Sequence, residues 1–102
     1  MGIAERIRKS LKTIIWRRHA RREAEDENIS ESLLEDALRR GFVLVEHYQK
    51  DPRGESALVL VFVEDKPVHV VLSPRKDLCY LVTTYIPDPK KWNKKCTRRR
   101  KR

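Results

Sequence analysis

Three histidines, His19, His47 and His69, are the side chains of this chain best suited to trading a proton, because imidazole is the group whose ordinary pKa lies near neutrality. His19 has Arg22 three residues on and Glu23 four residues on, a spacing that puts all three on one helical face. A histidine steadied by a carboxylate beside an arginine can bind a phosphate and protonate it. His69 stands in the otherwise apolar run Val68–Val71, facing either solvent or a polar site opposite the helices. Alternation places His47 on the face opposite Glu46 and Tyr48. On the last strand it places Tyr85 opposite Tyr80 and Thr84, and tyrosine can stack on a base or donate to a phosphate. Arg75 and Lys76, in the turn before that strand, are two further cations for a phosphate. Plain packing or a solvated surface is the competing reading of each of these residues.

The composition narrows the classes. Twenty-four Lys and Arg stand against fifteen Asp and Glu in 102 residues, a net charge of +9. Length alone allows one domain, since domains run to roughly 100–150 residues. The charge is uneven: residues 1–22 carry +7, residues 23–40 carry −5, residues 41–89 carry −2 and residues 90–102 carry +9. The natural partners of such a chain are polyanions, with RNA first and an anionic membrane surface last. No apolar run approaches the roughly 20 residues needed to span a bilayer, and the start lacks the apolar stretch of a signal peptide, so a cytoplasmic, membrane-free protein is expected. Cys79 and Cys96 cannot form a four-ligand zinc site, and no second ligand stands at metal spacing from either. With glycine only at positions 2, 41 and 54 there is no glycine-rich phosphate loop. No metal and no cofactor are expected.

These side chains need elements to hold them. Ile3, Ile7, Leu11, Ile14 and Ile15 recur at spacings of three and four and predict a helix from residue 3 to about 26, with a break near Trp16 as the alternative. Ser30 is a good N-cap for a second helix that presents Leu33, Leu34, Ala37 and Leu38, and Gly41 stands where helices end. The period then changes to two, predicting strands at Val43–Tyr48, Ala57–Val63, Val68–Leu72 and Cys79–Ile86. Short turns favour an antiparallel meander. The expected fold is α+β, with two N-terminal helices packed on a four-stranded antiparallel sheet. Residues 1–92 form the domain, and residues 93–102 form a basic tail, disordered beyond Trp92.

Trp16-Arg-Arg-His19-Ala20, Asn28-Ile29-Ser30, Pro67-Val-His69-Val-Val71 and the ending Thr83-Thr84-Tyr85-Ile86-Pro87-Asp88-Pro89-Lys-Lys-Trp92 occur in an order that resembles a prokaryotic family of domains of unknown function. That family is often encoded beside an antitoxin with a zinc ribbon and looks like a relative of the RelE and BrnT toxins. The chain departs from it at Ala24-Glu-Asp-Glu27-Asn28, where acids replace a basic run. The resemblance implies a RelE-like fold and a toxin that cuts RNA, on the ribosome or off it, with an antitoxin as partner; a second copy of the chain is a further candidate. Cutting by the RNA's own 2′-hydroxyl asks for a base near that hydroxyl, an acid near the leaving 5′-oxygen and cations on the phosphate. His19, Arg22, His69 and Tyr85 form the expected catalytic set. Arg75 and Lys76, with Arg98, Arg99, Arg100 and Lys101 of the tail, are the expected phosphate contacts. A non-catalytic nucleic-acid-binding module and a protein-interaction domain are the rival readings.

Overall fold

The apolar spacing that predicts one long N-terminal helix holds for only two turns. In the computed structural model, which describes residues 1–101, helix α1 (Ile3–Ser10) buries Ile3 and Ile7 and then stops. Thr13, Ile14 and Ile15 follow, three β-branched residues in a row that lose rotamer freedom in a helix and suit a pleated strand. Strand β1 (Ile14–Trp16) forms there, and helix α2 (Arg18–Asp26) restarts after it. α2 buries only Ala20 and Ala24, small side chains that let it lie close on the sheet. Asn28, at φ 57°, ends it. The Asn28 amide donates to the Glu25 carbonyl and the Ile29 amide to that of Ala24, the paired bonds of a left-handed helix terminus.

Helix α3 (Glu31–Arg40) has the predicted ends. The Ser30 hydroxyl accepts from the Leu33 amide, and Gly41 at φ 147° closes it. Four longer strands complete the chain: β2 (Val43–Tyr48), β3 (Ser56–Val63), β4 (Lys66–Pro74) and β5 (Cys79–Tyr85). The sheet order is β1-β5-β4-β3-β2, antiparallel except that β1 runs parallel to β5. The expected two helices on a four-stranded antiparallel sheet are therefore corrected to three helices and a five-stranded mixed sheet among the described residues. β1 is too short to carry a period of its own, and its pairing partner lies more than sixty residues away.

The helices cover one face of the sheet. Ile7, Leu34 and Leu38 meet Val59, Val70, Leu72 and Leu81 there, and each such side chain fully buried contributes roughly 1.5–3 kcal/mol. Trp16 joins this core and donates its indole N–H to Glu35 at 2.9 Å, tying β1 to α3. A second correction comes from β5. Its register on β4 shifts between Val71 and Leu72, so that Val71 faces Thr83 and Leu72 faces Leu81. Val82 is an extra residue, and one extra residue inverts every later side chain. Tyr85 therefore shares the open face with Tyr80, where simple alternation puts them on opposite faces. Trp92 closes the domain as a buried residue, and the residues after it, expected as a basic tail disordered beyond Trp92, turn back so that Arg99 bridges to Trp92. Arg102 lies outside the described residues. Among the described residues no helix is long and apolar enough to cross a membrane.

The Cys79 amide donates to the Thr13 carbonyl at 2.9 Å. Hydrogen exchange should find it protected. Fast exchange there would return β5 to the sheet edge and remove β1. Trp16→Phe, which removes the indole donor and leaves Glu35 with Arg39, is expected to cost about 1 kcal/mol by urea unfolding.

Candidate functional site on the open sheet face

The face opposite the helices has two neighbouring zones, laid out along paired positions of β4 and β5. Ser73 lies opposite Tyr80, Val71 opposite Thr83, and His69 opposite Tyr85. The first zone is a cleft of about 720 Å³ with Val71, Ser73, Thr83 and Tyr48 in its lining and Arg17, His19, Arg53 and Arg75 among the basic groups around it. β1 delivers Arg17: the Arg17 amide donates to Leu81 at 3.0 Å, and the side chain then lies over the Tyr80 ring at 4.1 Å. Among the described residues no carboxylate is ion-paired with Arg17. Its guanidinium is thus held by a ring face and keeps its N–H donors for a ligand.

Arg75 is the second cation of the cleft and is differently held. It lies over the other reach of Tyr80 at 5.3 Å and donates to Ser73 Oγ at 2.7 Å and to the Arg53 carbonyl at 3.1 Å. Gly54 makes room for it: a Cβ at that position would stand 2.5 Å from Nη2. Arg53 is partly neutralised by Asp51 at 3.6 Å.

His19 stands at the edge of the cleft in the first turn of α2, with 71% of its side chain exposed and Nε2 3.2 Å from Glu23. Glu23 in turn accepts hydrogen bonds from the Thr83 hydroxyl and the Thr84 amide. The carboxylate is fixed by the sheet and fixes the imidazole. Arg22, the third member of the predicted helical set, is exposed on α2 and lies outside the cleft lining. Lys76 is also outside it, in a separate surface cavity with Arg6 and Lys9.

The second zone joins His69 and Tyr85. His69 is fully buried. Its Nε2 lies 2.7 Å from the Cys96 carbonyl, which only accepts, so Nε2 carries the proton. Nδ1 is then the acceptor for the Tyr85 hydroxyl at 3.2 Å. The rings of Trp92 and Tyr85 stand edge-on to it at 4.4 and 5.3 Å. Burial holds the His69 pKa below its ordinary value, against the opposing pull of the bond to Cys96, and burial also raises the Tyr85 hydroxyl. The predicted pair is real as a contact. It is sealed by residues 92–100 and separated from His19 and Arg22, so the four expected catalytic residues do not form one cluster.

Glu46 and Tyr48 connect the zones. Arg99 donates to Glu46 twice, at 2.8 and 3.1 Å, and the Tyr48 hydroxyl donates to Glu46 at 2.5 Å. The Arg99 bonds pull the Glu46 pKa down, and burial beside that carboxylate pushes the Tyr48 hydroxyl up to about 12. Of the predicted tail contacts, Arg99 is thus committed, and Arg100 donates to the Pro89 carbonyl at 2.6 Å. Arg98 and Lys101 are exposed. His47 is tied to Glu55 on the helix-covered side, where Arg6 at 2.6 Å holds Glu55 down at about 2. Among the described residues no group of His, Cys, Asp or Glu gathers as a metal site.

Sequence reasoning missed Arg17, although it lies inside the quoted Trp16–Ala20 run. The Glu46–Arg99 pair left no signal, because 53 residues separate its members. Residues 16–86 match a protein family described as a domain of unknown function, DUF4258. No curated protein and no solved structure matches the chain.

The depressed His69 pKa has a consequence for stability. Below about pH 6.5 the unfolded chain takes up a proton that native His69 refuses, so stability falls as the pH drops toward the native value. Urea midpoints measured at about pH 7.5 and about pH 5.5 should fall for the natural protein, and fall less for His69→Gln. Equal losses in the two proteins would contradict this account of the histidine.

Proposed function

The chain belongs to the DUF4258 family, and from that premise we propose that it is a metal-independent endoribonuclease that binds single-stranded RNA in the cleft of the open sheet face. The observation that carries this reading is Arg17, a cation stacked on Tyr80 and free of any described carboxylate beside the His19–Glu23 pair. A phosphodiester seated on Arg17 and the remaining donors of Arg75 brings its sugar to the cleft rim. His19, steadied by Glu23, takes the 2′-hydroxyl proton while that oxygen attacks phosphorus. The bond from phosphorus to the 5′-oxygen breaks, and water in the open cleft protonates the leaving oxygen. The arginines stabilise the charge that builds on the phosphate. Arg53, and Lys94, Lys95 and Arg98 on the turn of residues 93–98, add sequence-independent attraction to the backbone. We place the enzyme as the toxin of a pair, related to the RelE and BrnT toxins and restrained by an antitoxin, on the resemblance carried by the residues from Trp16 to Trp92.

A non-catalytic RNA-binding module is the second reading, favoured by the 71% exposure of His19, which leaves its imidazole largely in water. Two substitutions separate them. In the endoribonuclease His19→Ala lowers cleavage by about 10²–10⁴-fold, the usual contribution of a general acid–base group, with RNA affinity little changed. Arg17→Ala weakens both binding and cleavage. Induced expression with growth followed and RNA 5′ ends mapped is the measurement. Soluble protein that causes no new ends, and whose RNA affinity ignores His19→Ala, would leave the binding module.

A further inference from the structure

Residues 92–100 carry five cations and no acid, yet they lie folded on the sheet. Trp92, 2% exposed, anchors their start. Arg99 donates twice to Glu46 and lies over Trp92 at 4.7 Å. The Cys96 carbonyl accepts a hydrogen bond from His69 Nε2, and Trp92 covers the ring. The one strong charge contact is therefore Arg99–Glu46, since Arg100 bonds a neutral carbonyl and Lys94, Lys95 and Arg98 are exposed without ion pairs among the described residues. The Arg99 side chain is 60% exposed, so an incoming anion can reach it while it is still bound to Glu46. A segment whose like charges repel, anchored at Trp92 and pinned beyond it by one partly solvated ion pair, is poised to exchange that partner for a polyanion.

We propose that residues 92–100 form a lock that a nucleic-acid backbone opens: phosphates gathered by Lys94, Lys95 and Arg98 compete with Glu46 for Arg99 and lift the Cys96 carbonyl from His69. Release exposes His69 and Tyr85 next to the cleft and frees Glu46, so that the face becomes continuous from Tyr80 to Tyr85. Closed, the same face presents His69 with both nitrogens occupied and no room for a ligand. This inference rests on the reading of the cleft as an RNA site and concerns the regulation of that site.

The test is chemical access to His69 in the full chain, read by diethyl pyrocarbonate modification and mass spectrometry, with His47 on the helix-covered face as the internal reference. The probe is a 2′-O-methyl oligouridylate of about twelve nucleotides, which binds as RNA does and lacks the attacking hydroxyl. The natural protein alone should modify slowly at His69. Arg99→Ala and Glu46→Gln, which break the ion pair from either side, should each speed modification about tenfold relative to His47. The oligonucleotide should speed it in the natural protein at low salt and lose that effect at high salt. A His69 rate unmoved by both substitutions overturns the lock. An oligonucleotide that binds in an Arg17-dependent manner and leaves His69 closed, or protects it, overturns the lock and spares the reading of the cleft. An oligonucleotide that does not bind overturns both.

Discussion

Three residues of parallel pairing organise the functional half of this molecule. Ile14, Ile15 and Trp16 run beside Cys79, Tyr80 and Leu81, and the bonds from Cys79 to Thr13 and from Arg17 to Leu81 close the ladder at both ends. That short strand interrupts what would otherwise be one helix. It also decides where the next residues go. Trp16 enters the core, Arg17 lands on the Tyr80 ring, and α2 starts where β1 stops, so that Glu23 reaches Thr83 on the uncovered length of β5 and His19 lines the same cleft. Without β1 the arginine and the histidine lie on a helix surface with no sheet beneath them.

The electrostatics follow a division of labour. Several acids of the body are spent on fixed tasks: Glu35 on Trp16 and Arg39, Glu55 on Arg6 and His47, Glu46 on Arg99 and Tyr48, and Glu23 on His19 and Thr83. Trp16–Glu35, Arg6–Glu55, Arg99–Glu46 and Thr83–Glu23 join a helix or the C-terminal segment to the sheet, and the others steady a nearby side chain. Arg17 and Arg75, both on the open face, stand in no ion pair among the described residues and are held by Tyr80 instead. A surface pair between such groups contributes little to stability on its own. Its value here is geometric: Glu23 holds His19 in place before any ligand arrives, as the Tyr80 ring holds Arg17, and pre-ordered donors lose less on binding.

Much of the scaffold was legible from local signals. Ser30 and Gly41 bracket α3 because a hydroxyl N-cap and a glycine terminus are chosen by backbone chemistry within a few residues. The four long strands follow from a period of two over β-branched residues. The pairing of His19 with Glu23 also follows from local spacing. The faces of β5 did not, since the extra residue Val82 is invisible to an alternation count and turns Tyr85 over to join Tyr80 and His69. Basic density in residues 90–102 looks like a solvated tail when counted as charge. The same stretch contains Trp92, whose burial against His69 outweighs the repulsion of its neighbours.

The sequence by itself therefore determined the ends of α3, the positions of the four longer strands, the excess of positive charge and the helical facing of His19 and Glu23, all properties set by neighbours a few residues apart. Tertiary structure alone decided which of these groups share a surface. It separated His19 and Arg22 from His69 and Tyr85, recruited Arg17 to Tyr80, and paired Glu46 with Arg99 across 53 positions. The reason is physical. A strand of three residues sends the chain after it to a new place, the bulge in β5 turns over the side chains beyond it, and both rest on hydrogen bonds to partners far along the chain, where no local pattern records them.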